Sequence, residues 1–146
     1  AILLVDDHAI VREAVARILA GARRHWSVVQ AASGDAALAV LGTRAFDMVI
    51  TDLSMPGLSG LDFVRRLHAD WPDLRIVVLS MHADGALAAD ALRAGALGYL
   101  TKEQGGAELV DAVDGQRRLR DVAGDVVLGT SHGVVADPAQ QPVGNA

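Results

Sequence analysis

Short, wholly apolar runs alternate along this chain with longer stretches in which apolar residues return every three or four positions. Ile2-Leu3-Leu4-Val5 is the first such run, and a strand without a polar face suits a parallel sheet covered by helices on both sides. From His8 to Ala20 the positions Ile10, Val11, Ala14, Val15, Ile18 and Leu19 follow a helical period, with Asp7 a candidate N-cap and Gly21 a stop. Trp26 to Ala31 predicts a second strand, and Ser33 caps a helix that Gly42 ends. Met48 to Asp52 predicts a third strand. Gly60 to Asp70 follows as a helix with Leu61, Val64 and Leu67 inward and Arg65 and Arg66 on a solvated face. Arg75 to Leu79 reads as a strand ending at Ser80, Ala86 to Ala94 as a helix stopped by Gly95, and Gly98 to Leu100 as a short strand leading to Thr101-Lys102. Ala107 to Asp114 begins a last helix. Five βα units with short loops predict an α/β fold with a doubly wound, five-stranded parallel sheet.

The pattern lapses after Gly115. Gln116 to Asp121 is polar and basic, and residues 124–146 hold four Gly and two Pro without sustained periodicity. Asp125-Val126-Val127-Leu128 and Gly133-Val134-Val135-Ala136 read either as strands of a loose hairpin or as part of a disordered tail. The expected division is therefore one domain over 1–115 and a tail or atypical linker over 116–146.

Composition narrows the class. With 51% hydrophobic but only 3% aromatic residues, the core has to be built from Ala, Val, Leu and Ile. No apolar run approaches a membrane span, and the first one ends in two Asp, unlike a signal peptide. Without Cys there are no disulfides, thiolate metal sites or Cys nucleophiles. These features are those of a soluble, cytoplasmic protein. The net charge of -5 argues against a nucleic-acid surface, and the acidity belongs wholly to the first part: residues 1–115 carry 15 acids and 10 bases, residues 116–146 carry 3 of each.

The predicted strand ends deliver Asp6 and Asp7, then Asp52, Ser80 and Lys102 to the rim where ligands of parallel α/β sheets gather. Any one of them alone is ordinary: Asp6-Asp7 as a helix cap, Asp52 as a turn residue, Lys102 as a solvated ammonium. Together they are not. Two like charges about 5 Å apart repel by roughly 3 kcal/mol at an effective dielectric of about 20, so three acids ask for a cation. Oxygen ligands on an open rim favour Mg²⁺, which commonly binds through one or two carboxylates plus a phosphate. The five His are scattered without zinc-site spacing. Lys102 suits an anion such as a phosphoryl group.

Leu4-Val5-Asp6-Asp7-His8, Asp52-Leu53-Ser54-Met55-Pro56-Gly57-Leu58-Ser59-Gly60, Val77-Val78-Leu79-Ser80 and Gly98-Tyr99-Leu100-Thr101-Lys102 resemble the receiver domain of two-component response regulators. The run Ala91-Leu92-Arg93-Ala94-Gly95-Ala96-Leu97-Gly98-Tyr99-Leu100 is most similar to the NarL/FixJ (LuxR-type) subfamily. The resemblance implies the flavodoxin-like (βα)5 receiver fold and a phosphorylation-activated switch in transcription control. It implies that Asp52 accepts a phosphoryl group from a sensor histidine kinase, that Asp7, Asp52 and the Ser54 backbone carbonyl ligate Mg²⁺, and that Asp6 acts through water. It implies that Lys102 pairs with the phosphoryl oxygens, that Ser80 and Tyr99 couple as a switch, and that Ser54 and His82 flank the phosphoryl group and tune its lifetime. The face of the fourth helix, fifth strand and fifth helix would change, with a homodimer as a possible outcome.

Two departures qualify this. Glu103 stands where the family usually has Pro, and residues 116–146 cannot supply a DNA-binding domain, so no direct nucleic-acid contact is expected. A native single-domain tail, a cut linker and a frame-shifted product remain open; bases encoding Leu119-Arg120-Asp121, read one position later, can give Tyr-Val-Thr, which resembles the family's linker. Two rival functions are a Mg²⁺-dependent phosphatase with Asp52 as nucleophile and a phosphate-independent interaction module. The first wants a second Asp where Ser54 stands. The expected protein is a signalling switch rather than a turnover enzyme.

Overall fold

The computed structural model describes residues 1–55, 57, 60–81, 85–101, 106–121 and 134–135. Its elements in order are β1 (Ile2–Val5), α1 (Ala9–Ala22), β2 (Val28–Ala31), α2 (Gly34–Leu41), β3 (Met48–Thr51), α3 (Gly60–Asp70), β4 (Arg75–Ser80), α4 (Gly85–Ala94), β5 (Gly98–Thr101), α5 (Gly106–Asp121) and β6 (Val134–Val135). The strands form one sheet in the order β2-β1-β3-β4-β5-β6. The five predicted strands are all parallel, and β6 adds an antiparallel sixth at the β5 edge, pairing Gly98 with Val135 and Tyr99 with Val134. Residues 125–128, the other half of the expected hairpin, lie outside the described residues.

Alternation along each buried strand sends neighbours to opposite faces of the sheet. Leu3, Val5, Val49, Ile76, Val78 and Tyr99 pack with α2, α3 and α4, where Phe63, Val64 and Leu67 are their largest partners. Ile2, Leu4, Met48, Ile50, Val77, Leu79 and Leu100 pack on the other face with Ala16 and Leu19 of α1 and Leu109, Val110 and Val113 of α5. Trp26 is buried within this second core, while Trp71 packs on the margin of the first.

Several boundaries differ from the sequence expectation for physical reasons. Helix α1 passes through Gly21 to Ala22, and its N-cap is His8, without a side-chain cap bond, rather than Asp7. The space around Gly21 is open, so nothing forces the chain to turn there. Ser33 does cap α2, its Oγ accepting from the Ala36 N–H at 3.1 Å, and Gly42 ends that helix. The strand expected from Trp26 starts only at Val28, where pairing with Ile2 begins. Helix α5 continues through the polar segment to Asp121. The apolar stripe of α1 is not all internal: Ile10 is 85% exposed and Ile18 40%. Together with Leu79, Leu100 and Leu109 these two line an apolar groove of about 270 Å³ between α1 and α5.

Candidate functional site

In the order β2-β1-β3-β4-β5 the chain leaves β1 in opposite directions, and a crevice opens where the order reverses, beyond the carboxyl ends of β1 and β3. Val5 pairs with Thr51, so the residues that follow each strand, Asp6 and Asp52, emerge side by side. Both carboxylates are 3% exposed. Asp7, one step further, keeps 28% of its side chain exposed at the mouth.

The local chain fixes each group. After Asp52 the side chains of Leu53 and Met55 are buried in the α2–α4 core. Ser54 between them is thereby turned out to solvent, and its backbone N–H donates to Asp52 Oδ1 at 3.1 Å. On the other side the His8 backbone N–H donates to Asp6 Oδ1 at 2.9 Å, and the guanidinium of Arg12, one helical turn on, donates to the Asp6 carbonyl at 2.6 Å. Arg12 also donates to Gln30 Oε1 at 3.1 Å, bracing the β1–α1 turn against β2.

Side-chain atoms of Asp6, Asp7, His8 and Asp52 all lie within 4.8 Å of one another. The donor set suits a divalent cation, because adjacent buried carboxylates repel unless positive charge lies between them. One atom supports that fit directly. Asp7 Oδ1 is buried with no hydrogen-bond partner among the described residues, a costly condition that a bound ion removes. His8 Nδ1 lies 3.1 Å from it, outside hydrogen-bond geometry.

Ser80 ends β4 and is 1% exposed. The register sets Val78 beside Tyr99 and Ser80 beside Thr101. Ser80 follows Val78 by two residues, so alternation puts it on the same sheet face as Tyr99, one strand over. Tyr99 is buried at 3%. Lys102 and His82 lie outside the described residues. The sequence placed His8 at the rim, as the last residue of the first motif, but did not reveal Arg12 as part of this site. The available signal was spacing: His8 is the last residue before the helix, and Arg12 sits one turn into it.

Residues 2–114 match the family of response regulator receiver domains. This chain belongs to that family. The chain is 37% identical over 132 residues to the response regulator UvrY of Escherichia coli K12, an alignment covering 87% of this chain and 61% of UvrY. The chain thus spans about three-fifths of that relative's length. A LuxR-family two-component response regulator from Aurantimonas sp. SI85-9A1 superposes with a TM-score of 0.69 at 36% identity, covering 78% of this chain and 81% of that one. A CheY-like receiver from Methanospirillum hungatei JF-1, at 22% identity and TM-score 0.77 over 84% of this chain and 97% of that one, shares the fold. Response regulators are signalling proteins that work with sensor histidine kinases. Among the described residues no helix is long and apolar enough to cross a membrane.

Proposed function

We propose that this receiver is a phosphorylation-activated switch in which Asp52 takes a phosphoryl group from a phosphohistidine of a sensor kinase. The observation that carries the reading is the convergence of Asp6, Asp7 and Asp52 at the crevice between β1 and β3, with an orphaned Asp7 oxygen turned into the cluster. Asp52 Oδ2 attacks phosphorus in line, the O–P bond forms as the N–P bond breaks, and the imidazole departs with its electron pair. The Ser54 N–H bond to Oδ1 holds the carboxylate so that Oδ2 is the attacking oxygen. Asp7, Asp52 and the Ser54 carbonyl hold Mg²⁺, with Asp6 reaching it through water. Bound there, Mg²⁺ supplies positive charge against the phosphoryl oxygens.

Lys102 pairs with those oxygens, and Ser54 and His82 flank the group and set its lifetime. Ser80 donates to the phosphoryl group and Tyr99 moves with it, which changes the face of α4, β5 and α5. Residues 1–115 act as the receiver and 116–146 as tail or linker. The protein works in the cytoplasm as a switch rather than a turnover enzyme, in transcription control, as relatives named a transcriptional activator protein and a transcriptional regulatory protein suggest. It acts through a homodimer or a partner, without touching nucleic acid through these residues.

Incubation with Mg²⁺ and acetyl phosphate, followed by intact-mass measurement, tests this. A gain of one phosphoryl group that needs Mg²⁺ and is lost in Asp52→Asn is expected. No adduct from any donor, or steady release of phosphate from added monoesters, would overturn it.

A further inference from the structure

Strand β5 is the last of the parallel strands, and its outer side is taken by β6. β6 lies beyond residues 2–114, the part of the chain that matches the receiver family. The sheet edge is therefore closed by a segment that the receiver itself does not supply. Its place on that edge is specific: Val135 pairs with Gly98 and Val134 with Tyr99.

Tyr99 thus has a strand on each side, with Val78 of β4 beside it inward and Val134 outward. Its side chain is buried with Ala88, Ala91 and Ala94 of α4, while Leu100, next along β5, packs with Leu109, Val110 and Val113 of α5 on the other face. β6 consequently occupies the edge that α4 and α5 flank. A strand adds about 4.8 Å to the edge of a sheet, so with β6 in place a second copy cannot bring the same edge against β5.

The hold is slight. The ladder is two residues long, and each net hydrogen bond shifts an equilibrium by only about two- to tenfold. An event that favours the unpaired state by more than that factor opens the edge, since an equilibrium moves by the difference in free energy that the event makes between its two states.

We propose that β6 is an autoinhibitory cap: in the unphosphorylated protein it lies along β5 and keeps the face of α4, β5 and α5 from a second copy of the chain, and phosphorylation of Asp52, by moving Tyr99, releases it. The inference rests on the reading of Asp52 as phosphoacceptor and of that face as the one that changes. It adds the element that guards the face. A symmetric dimer built on this edge needs it free on both copies, so one cap on either partner is enough to block it.

Amide exchange followed by NMR on the full chain tests the release, with Mg²⁺ alone and with Mg²⁺ plus beryllium trifluoride as a stable stand-in for the phosphoryl group. The amides that bond β5 to β6, among Gly98, Tyr99, Val134 and Val135, are expected to exchange slowly with Mg²⁺ alone and at least about tenfold faster with the stand-in bound, as local pairing is lost. Fluorine NMR reports binding of the stand-in separately. Bound stand-in with unchanged protection would overturn the release, and absence of protection in both states would overturn the cap. Failure to bind the stand-in, together with no adduct from acetyl phosphate, would overturn the phosphoacceptor reading and the release with it.

The block is tested by Val134→Pro combined with Val135→Pro, which removes both N–H groups from the ladder. Without the stand-in, sedimentation should show this variant self-associating at least about threefold more tightly than the unmutated protein, within the range set by losing so short a ladder. Equal uptake of beryllium trifluoride by the two proteins shows that the variant's receiver is intact. Equal self-association of the two would overturn the block.

Discussion

The backbone N–H of Ser54 reaches back to Oδ1 of Asp52, 3.1 Å away, while Oδ2 of the same carboxylate lies 3.9 Å from the His8 ring. Asp52 is therefore held by its own loop on one side and set against the acidic cluster on the other. In Asp52→Asn the amide oxygen still accepts the Ser54 bond, but one negative charge leaves the cluster. The variant is expected to be more stable than the unmutated protein by about 1–3 kcal/mol without divalent ions, on the scale of one buried like-charge pair. Added Mg²⁺ should narrow the difference, since the ion stabilises the unmutated cluster more. Urea denaturation with and without Mg²⁺ measures both, and a destabilised Asn variant would contradict the repulsion.

Arg12 couples helix α1 to the site through the Asp6 carbonyl at 2.6 Å. Arg12→Ala is expected to cost about 1–2 kcal/mol of stability, for one charge-assisted bond to a carbonyl. It should also weaken Mg²⁺ binding, because the Asp6-Asp7 turn loses its brace. Arg12→Lys should recover part of the stability without the bond to Gln30. Urea midpoints together with Mg²⁺ titration check this.

Gly95 ends α4 at φ +122°, and a Cβ there would lie 2.5 Å from Cγ of His68 on α3. Two separate penalties meet at one residue. Gly95→Ala is expected to destabilise by about 1–3 kcal/mol from the backbone alone, and by more from the clash. Adding His68→Ala should return the steric part and leave the backbone part, so the thermal denaturation of the double variant should fall between the single variant and the unmutated protein.

Phe63 is fully buried beneath the β-sheet on the α2–α4 side. Phe63→Ala is expected to cost about 3–5 kcal/mol, read as a drop in denaturation midpoint, whereas Phe63→Leu should cost much less.

The order and type of the five βα units were legible because buried parallel strands leave unbroken apolar runs, and Ser33 and Gly42 mark their helix ends by local chemistry. The meeting of Asp6, Asp7 and Asp52 was legible too, since parallel strands must release their last residues on one side. What escaped was set by neighbours remote in sequence. Gly21 reads as a stop, yet only surrounding structure decides whether a glycine ends a helix. Ile10 and Ile18 share the period of the core face, but the gap between α1 and α5 leaves them in solvent. The β5–β6 pairing joins segments whose local pattern carries no register.

That pairing bears on how such a molecule behaves in a crowded solution. A parallel sheet built as β2-β1-β3-β4-β5 would otherwise end in a bare ladder at β5, open to any extended strand from another molecule. Because Val134 and Val135 run antiparallel along Gly98 and Tyr99, the protein's own backbone fills those positions, and at this edge a stranger's strand meets a ladder only two residues long, too short to template much pairing.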